Sequence, residues 1–295
     1  MYTQFFGNFL LCRNVVTPEQ LIEAINKEST SHIKLGTLAM YHNLMTAKEI
    51  DDVVVAQTHE DKPFGELAVE RKYLTEDEVN RLLSEQSPEY LLLGQVLIEQ
   101  GIITNSDLED LIIDYESEHE IYDLDLQIDQ KEQVAKLIRH YFKLDSLNNS
   151  DIYESYLTLL FNNLIRFIGA DFTPLTPVLC EEYATQFGIA QHIHGKYDIM
   201  TALDMSREMA VEFASRYAMD TFDEFDEYVQ ASLEDFLNLH NGLFTVNMSN
   251  NNSVELQLAP PEIHDENLVD LRQDAVSYLF PVLYPFGTIN ILLSF

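Results

Sequence analysis

The sequence is poor in cysteine and has no long apolar run. Its 295 residues include two cysteines, Cys12 and Cys180, which lie far apart and form no CxxC pair. Neither a disulfide framework nor a cysteine-based zinc site is therefore expected. No apolar run approaches the roughly 18 residues that a membrane-spanning helix needs, and no basic residue precedes the first apolar ones. We expect a cytoplasmic protein without a signal peptide and without membrane insertion.

Basic residues are also scarce. Lys and Arg number 17 against 50 Asp and Glu, which gives a formal net charge of -33. Such a chain repels polyphosphates and anionic surfaces, so nucleic acid and membranes are not expected partners. The hydrophobic fraction of 46%, with 17 Phe and 15 Tyr, nevertheless supports well-packed cores, and the length fits two domains.

Four of the ten glycines recur at a constant interval of 29 residues. The four glycines are Gly7, Gly36, Gly65 and Gly94, and each is followed ten residues later by a threonine, Thr17, Thr46, Thr75 and Thr104. An interval held without slippage indicates a structural repeat. Each copy reads as a helical run, a turn and a second helix that begins at the threonine. One copy cannot bury its own apolar face, so we expect four 29-residue copies to stack into an all-α array.

The second helix of each copy has a cap signal and an apolar period. Gln20, Glu49 and Glu78 follow their threonines by three residues, as in a capping box, and the fourth copy has Asp107. The period predicts that the following residues face the core: Leu21, Ala24, Ile25, Ile50, Val53, Val54, Val79, Leu82, Leu83, Leu108, Leu111 and Ile112.

This repeat resembles the N-terminal MshEN-type domain of secretion and pilus ATPases, whose paired 24-residue motifs lie five residues apart. The resemblance implies binding of cyclic di-GMP, with a leading arginine on the ligand and the backbone beside the glycine close to it. Here the leading positions hold Phe5, Lys34, Pro63 and Leu92. The implied ligand-binding residues are Lys34, Leu35, Gly36, Gln57, Gly65 and Gln86. The alternative is a module that only packs and docks a partner.

The second half of the chain alternates helical and strand patterns. Helices are predicted over 131–144, 151–168, 206–219 and 221–240, and strands over 188–195, 196–203, 243–248, 254–258, 276–283 and 288–295. This order is typical of an α+β sheet domain with helices on one face. We therefore predict a helical repeat domain over 1–120, a helical connector over 121–149 and a sheet domain over 150–295, so that the whole chain is α+β.

One predicted helix in this domain has a polar pair on its outer side. At 100° per residue, Phe225, Val229, Leu233, Phe236 and His240 form one narrow stripe that must be buried. Asp235 and Asn238 project from nearly the opposite side, one turn apart. A solvated helix face also shows such pairs by chance.

Asp235 and Asn238, followed after 22 residues by Pro261, resemble the motif of the CheC/CheX/FliY phosphatase family. The resemblance implies a chemotaxis or motility phosphatase that hydrolyses the aspartyl phosphate of a CheY-like response regulator. Asn238 would orient the attacking water and Asp235 would pair with a lysine of the partner. Magnesium would come from the partner, so no resident metal or cofactor is expected, and the implied assembly is a homodimer.

The sequence departs from that motif at two positions. Asp235 stands where the family has Glu, and Ala231 replaces an Asp or Ser. The alternative hypothesis is a non-catalytic adaptor in which both halves only bind. His192 and His194 alternate on a predicted strand, but no third metal ligand lies at a suitable spacing, which favours a surface strand.

Overall fold

The structure is a computed structural model that describes residues 2–28, 32–84, 88, 90–118, 138–139, 141–142, 144, 150–269, 271 and 275–295. The chain divides into two compact units, Tyr2–Ile128 and Asp129–Phe295. Most of the predicted connector, and most of the helix predicted over 131–144, lie outside the described residues. None of the described helices is long and apolar enough to cross a membrane.

The described part of the first unit is helical. Its helices are α1 (Tyr2–Cys12), α2 (Pro18–Glu28), α3 (Leu35–Tyr41), α4 (Ala47–Gln57), α5 (Phe64–Glu70), α6 (Glu76–Ser84), α7 (Tyr90–Glu99) and α8 (Asn105–Glu118). Each turn between an odd-numbered helix and the next contains one residue with a positive φ. These residues are Asn14, Asn43, Lys72 and Gly101, with φ of 55°, 55°, 63° and 71°, and they too lie 29 residues apart.

The capping boxes predicted for the first three copies are confirmed at α2, α4 and α6. At α4 the Thr46 amide donates to Glu49 Oε2 at 2.8 Å, and the Glu49 amide donates back to Thr46 Oγ1 at 3.4 Å. The fourth copy forms the same pair of bonds with the shorter acid, because the Thr104 amide donates to Asp107 Oδ2 at 2.8 Å. Each box satisfies backbone N–H groups that a helix start leaves unpaired.

The repeated glycines allow close packing between helices. A methyl group at Gly36 would lie 3.0 Å from Phe64 Cζ, and one at Gly65 would lie 3.1 Å from Leu35 Cδ2. Phe64 and Leu35 each directly precede a repeated glycine. The two contacts are therefore reciprocal, with the residue before each glycine filling the space beside the other.

Most of the residues predicted to face the core of the first unit are buried, but two are not. The side chain of Val54 is 47% exposed and that of Leu83 is 69% exposed. Each follows a fully packed residue, Val53 or Leu82, and successive helical residues point 100° apart. The buried stripe of these two helices is thus narrower than the apolar pattern predicts.

The second unit combines a sheet with three described helices. The helices are α9 (Ser150–Phe167), α10 (Arg207–Ala218) and α11 (Glu227–Asn252). The strands are β1 (Thr173–Pro174), β2 (Val178–Cys180), β3 (Tyr183–Ala184), β4 (Phe187–Gly195), β5 (Ile199–Met205), β6 (Leu256–Leu258), β7 (Glu262–Asp265), β8 (Leu268–Val269), β9 (Ser277–Tyr284) and β10 (Gly287–Ser294). The main sheet has the order β1-β9-β10-β5-β4-β6, with β2 also on β9 and β7 also on β4.

The two predicted hairpins of the sheet are confirmed. Strand β4 pairs antiparallel with β5, and β9 pairs antiparallel with β10. Helix α11 lies against one face of the sheet, where Asn241 donates hydrogen bonds to Gln191 of β4 and Thr201 of β5. The opposite face packs Ala190 and Met200 with Val269 of the small β3-β8 sheet.

Helix α11 is longer than the predicted helix and is shifted along the chain. It begins after the cap residue Asp226 and ends at Ser253, whose φ is 54°. The end predicted at His240 and the strand predicted over 243–248 are therefore wrong. Asn241 and Gly242 read as a stop signal, but the Asn241 side chain is fully buried and uses its hydrogen bonds in the core. Tertiary contacts override the local signal.

Replacing Gly242 by Ala tests the continuity of α11. A methyl group there would meet nothing closer than Leu258 Cδ1 at 4.0 Å, and Ala is favoured over Gly inside a helix by about 0.5–1 kcal/mol. We expect Gly242→Ala to raise the free energy of unfolding by about that amount, measured by urea denaturation.

The matched control is Gly195→Ala. Gly195 has a φ of 148°, and a methyl group there would lie 2.5 Å from the Glu255 carbonyl oxygen, so this variant should lose about 1–3 kcal/mol. A loss of stability in Gly242→Ala would contradict a helix that runs through this residue.

Candidate functional site

Helix α11 presents a carboxylate and an amide to solvent. Val229, Leu233 and Phe236 form its buried side, while Asp226 caps its start by accepting from the amides of Tyr228 and Val229 at 3.0 Å. The structure places Asp235 and Asn238 on the opposite, exposed side. Burial of the apolar stripe therefore sets the direction of both polar side chains.

Asp235 is held by a tyrosine of the neighbouring helix α10. The Tyr217 hydroxyl donates to Asp235 Oδ2 at 2.6 Å. The Tyr217 ring makes edge contacts with Phe167 and Phe236, at centroid distances of 5.8 and 5.7 Å. Burial, and next the bond to Asp235, raise the pKa of Tyr217, so this hydroxyl stays a donor at neutral pH. It fixes one carboxylate oxygen and leaves the other open to solvent.

The Asn238 side chain is held by a hydrogen bond from the sheet. The Nε2 atom of Gln191, a fully buried residue of β4, donates to Asn238 Oδ1 at 2.9 Å and to the Ala259 carbonyl oxygen at 2.9 Å. The second bond ties Asn238 to the segment that contains Pro261. That segment also donates the Ala259 amide to the His192 carbonyl at 2.9 Å.

The 22-residue spacing between Asn238 and Pro261 follows from this geometry. After Asn238 the chain completes α11, reverses at Ser253 and returns to β4 through β6. Pro261 then lies between β6 and β7, next to Glu262, which pairs with Ala190. The motif therefore links two segments that meet at Gln191.

His240, two residues after Asn238, belongs to the buried side as predicted. Its side chain is fully buried, with Nδ1 at 3.0 Å from Asn163 Nδ2 and its ring 4.5 Å from that of Tyr156. Burial lowers the pKa of His240 to about 3. The ring is neutral at physiological pH and does not reach the exposed side, so it is not a general base for the polar pair.

The first unit contains a cavity of about 520 Å³ that involves most of the predicted ligand-binding residues. Lys34, Leu35, Gly36 and Gln57 line it. Gly65 adjoins it through its contact with Leu35, and Gln86 lies outside the described residues. The remaining lining residues are Thr37, Ile50, Val54, Phe64, Gln95, Ile98, Glu99 and Asn105. The exposed Val54 is thus part of a cavity wall.

The polar groups of this cavity converge on α7. Gln95 accepts from the Lys34 amide at 2.6 Å, and its Nε2 donates to Glu99 Oε1 at 3.1 Å. Lys34 Nζ lies 2.7 Å from Glu99 Oε1. This bond is the main reason that the pKa of the Glu99 carboxyl is lowered. The positive charge of Lys34 is therefore already paired with the Glu99 carboxylate in the cavity wall.

Sequence reasoning missed four of these residues: Tyr217, Gln191, Gln95 and Glu99. Each forms a hydrogen bond or an ion pair with a predicted site residue that lies elsewhere in the chain. Gln95 alone has a local signal, because it follows the repeated glycine Gly94 directly.

No group of three His, Cys, Asp or Glu within the described ranges could hold a metal. His192 and His194 stack with centroids 5.7 Å apart, and His194 Nδ1 lies 2.7 Å from Asp198. Burial raises the pKa of the Cys180 thiol, so this thiol is a poor nucleophile.

Solved structures of chemotaxis proteins match about half of this chain at low sequence identity. No family model matches the chain, and no curated protein matches it in sequence. Among solved structures, a CheC-like superfamily protein from Shewanella sp. PV-4 is 16% identical with a TM-score of 0.45, over 50% of this chain and 98% of that one.

Two further solved structures are similar to the same extent. The chemotaxis protein CheX from Desulfovibrio desulfuricans is 14% identical with a TM-score of 0.43, over 48% of this chain and 97% of that one. The CheX in a CheX-CheY-BeF3-Mg²⁺ complex from Borrelia burgdorferi is 18% identical with a TM-score of 0.43, over 49% of this chain and 97% of that one.

The lowered pKa of His240 predicts a pH dependence of stability. The unfolded state binds a proton near pH 6.5, whereas the native state does so only near pH 3. Stability is therefore fully present above pH 6.5 and falls as the pH drops towards 3. Between pH 7 and pH 5 we expect wild type to lose about 2 kcal/mol more than His240→Gln, measured by urea denaturation at each pH.

The His240 ring provides an independent check, because its NMR resonances should stay those of a neutral imidazole between pH 7 and pH 5. A ring that titrates in this range would contradict its burial without a charged partner.

Proposed function

We propose that the second unit is a phosphatase of a phosphorylated CheY-like response regulator. The observation that supports this most directly is the pair Asp235 and Asn238, which stands exposed one turn apart on α11, each side chain held by one hydrogen bond from a neighbouring element. A pair fixed in this way can enter the active site of another protein without first losing conformational entropy.

In this proposal the Asn238 amide positions the water that attacks the phosphoryl group. Phosphoryl transfer needs mainly positioning and electrostatic stabilisation, and an amide supplies both without titrating. Magnesium would be held by the partner and would neutralise charge on the phosphoryl oxygens.

Asp235 would pair with a lysine of the partner. Its Oδ2 is occupied by Tyr217, and its other oxygen is available for a charge-assisted bond. An aspartate is one methylene shorter than the glutamate of the family motif, so the backbone of α11 would have to approach the partner more closely. Ala231, exposed one turn before Asp235, offers no bulk that would prevent this approach.

The proposal predicts a rate loss in Asn238→Ala. Phosphate release is measured from a panel of CheY-like receiver proteins, each phosphorylated by acetyl phosphate, with and without this protein. We expect wild type to accelerate release from at least one of them and Asn238→Ala to lose about 100-fold or more of that acceleration, the usual cost of removing one transition-state donor.

Asn250→Ala is the matched control, because Asn250 is an exposed asparagine of the same helix outside the site. It should keep the wild-type rate. Asp235→Asn should raise KM by weakening contact with the partner. Phosphate release that is the same with wild type as without protein, across the panel, would end the phosphatase proposal and support the adaptor alternative, in which both units only bind.

For the first unit, we propose an MshEN-like array of four copies whose second and third copies bind cyclic di-GMP. The support is the cavity of about 520 Å³, which has the size of ordinary ligand sites. It combines apolar walls, such as Leu35 and Phe64, with the amide groups of Gln57 and Gln95. Lys34 would exchange its bond with Glu99 for one to a ligand phosphate. We also propose a cytoplasmic homodimer.

Calorimetric titration with cyclic di-GMP tests this second proposal. We expect saturable heat with wild type and an affinity at least about tenfold lower in Lys34→Ala, since a charge-assisted bond is worth about 1.5–3 kcal/mol. Lys48→Ala is the control, because Lys48 is an exposed lysine of the same unit outside the cavity. Absence of heat at high micromolar ligand would leave the first unit as a docking module.

A further inference from the structure

A chain of polar side chains runs through the core of the second unit and ends at Asn238. The Tyr156 hydroxyl donates to Asn241 Oδ1 at 2.9 Å. Asn241 Nδ2 donates to Gln191 Oε1 at 2.8 Å, and Gln191 Nε2 donates to Asn238 Oδ1 at 2.9 Å. Tyr156, Asn241 and Gln191 are fully buried, whereas Asn238 is exposed. The chain thus connects the core to the proposed catalytic amide.

The direction of this chain is set at Gln191 by a backbone carbonyl. The Ala259 carbonyl oxygen lies 2.9 Å from one end of the Gln191 amide. A carbonyl oxygen only accepts hydrogen bonds, so that end must be the nitrogen. The same nitrogen lies 2.9 Å from Asn238. Asn238 must therefore turn its oxygen towards Gln191.

The other end of Gln191 gives the same direction. Its oxygen can only accept, and it accepts from Asn241 Nδ2, which also donates to Thr201 Oγ1 at 2.9 Å. Tyr156 then donates to the remaining oxygen of Asn241. Each amide in the core has a partner at both ends. Turning any one of them would place two donors or two acceptors face to face, which is costly in a buried network.

With its oxygen held by Gln191, Asn238 directs its NH₂ group to solvent. No other hydrogen bond to this side chain occurs within the part of the chain that the structure describes. We propose that Gln191 is a positioning residue, which fixes the Asn238 amide with its donor end outward. The catalytic consequence rests on the proposed phosphatase function, whereas the orientation itself does not.

An outward donor defines what the amide can meet in a partner. It matches acceptors, namely a phosphoryl oxygen or the oxygen of the attacking water. An aspartate at 238 would also accept the Gln191 bond, but it would present a second acceptor to the anionic phosphoryl group. In the proposed reaction, position 238 therefore requires an Asn. Its oxygen accepts from Gln191, and its NH₂ group presents a donor rather than an acceptor to the phosphoryl group.

One substitution changes the orientation without entering the exposed site. Gln191→Met has a similar shape and donates nothing, so the Asn238 amide should lose its fixed orientation. Tyr156→Phe is the matched control, since it breaks the far end of the same chain and leaves the Gln191–Asn238 bond in place.

The kinetic test separates positioning from stability. We expect Gln191→Met to lower kcat for the phosphorylated receiver by about 10- to 100-fold, as misplaced catalytic groups do, with KM nearly unchanged. Tyr156→Phe should lower Tm but keep kcat. Equal kcat losses in Tyr156→Phe and Gln191→Met, in proportion to their Tm losses, would overturn the proposal.

An NMR test needs no enzymatic activity. With ¹⁵N-labelled asparagine, the Asn238 carboxamide is assigned by its disappearance in Asn238→Asp. In wild type we expect an ordered NH₂ group whose protons exchange freely with solvent, with order lost in Gln191→Met. Protected protons in wild type, or no change in Gln191→Met, would overturn the positioning role. The expected NMR result without phosphatase activity would instead leave the orientation standing and reject the proposed function.

Discussion

The buried side chain of Asn241 is the constraint on which the second unit depends. It joins α11 to two strands and to α9, because its amide bonds Gln191, Thr201 and Tyr156 at once. An amide left unpaired in this position would cost more than its bonds contribute, so the four elements must meet in one register. That register brings Gln191 under Asn238. The exposed Asn238 side chain is therefore positioned through buried amides.

Much of the architecture could be predicted because it follows from local rules. The capping boxes, the 3.6-residue period of α9 and α10, and the hairpins β4–β5 and β9–β10 all arise from residues close in sequence. The end of α11 could not be predicted in this way. Asn241 and Gly242 form a local helix stop signal. The helix continues only because Asn241 hydrogen-bonds to residues that are distant in sequence. The prediction that Val54 and Leu83 face the core is wrong for a related reason. An apolar period does not show how wide the neighbouring surface is that covers the helix.

The same distinction between local and long-range features applies to the candidate site. The exposure of Asp235 and Asn238 could be predicted from the buried stripe opposite them, whereas Lys34, Leu35, Gly36 and Gln57 follow only from the resemblance of the repeat to a known domain. The residues that hydrogen-bond to Asp235 and Asn238 could not be predicted. Tyr217 lies 18 residues before Asp235 and Gln191 lies 47 residues before Asn238. Such partners have no sequence signal of their own, because what selects them is a three-dimensional distance rather than a period.

The reciprocal contacts of Gly36 with Phe64 and of Gly65 with Leu35 have a consequence for how the first unit can change over time. The space beside each glycine is filled in part by a side chain of the other copy, so a larger residue there requires that side chain to move. At position 36 a methyl group would press on Ile50 of the same copy as well as on Phe64. Substitutions at the two glycines are therefore coupled to the neighbouring copy, which would slow the divergence of these positions.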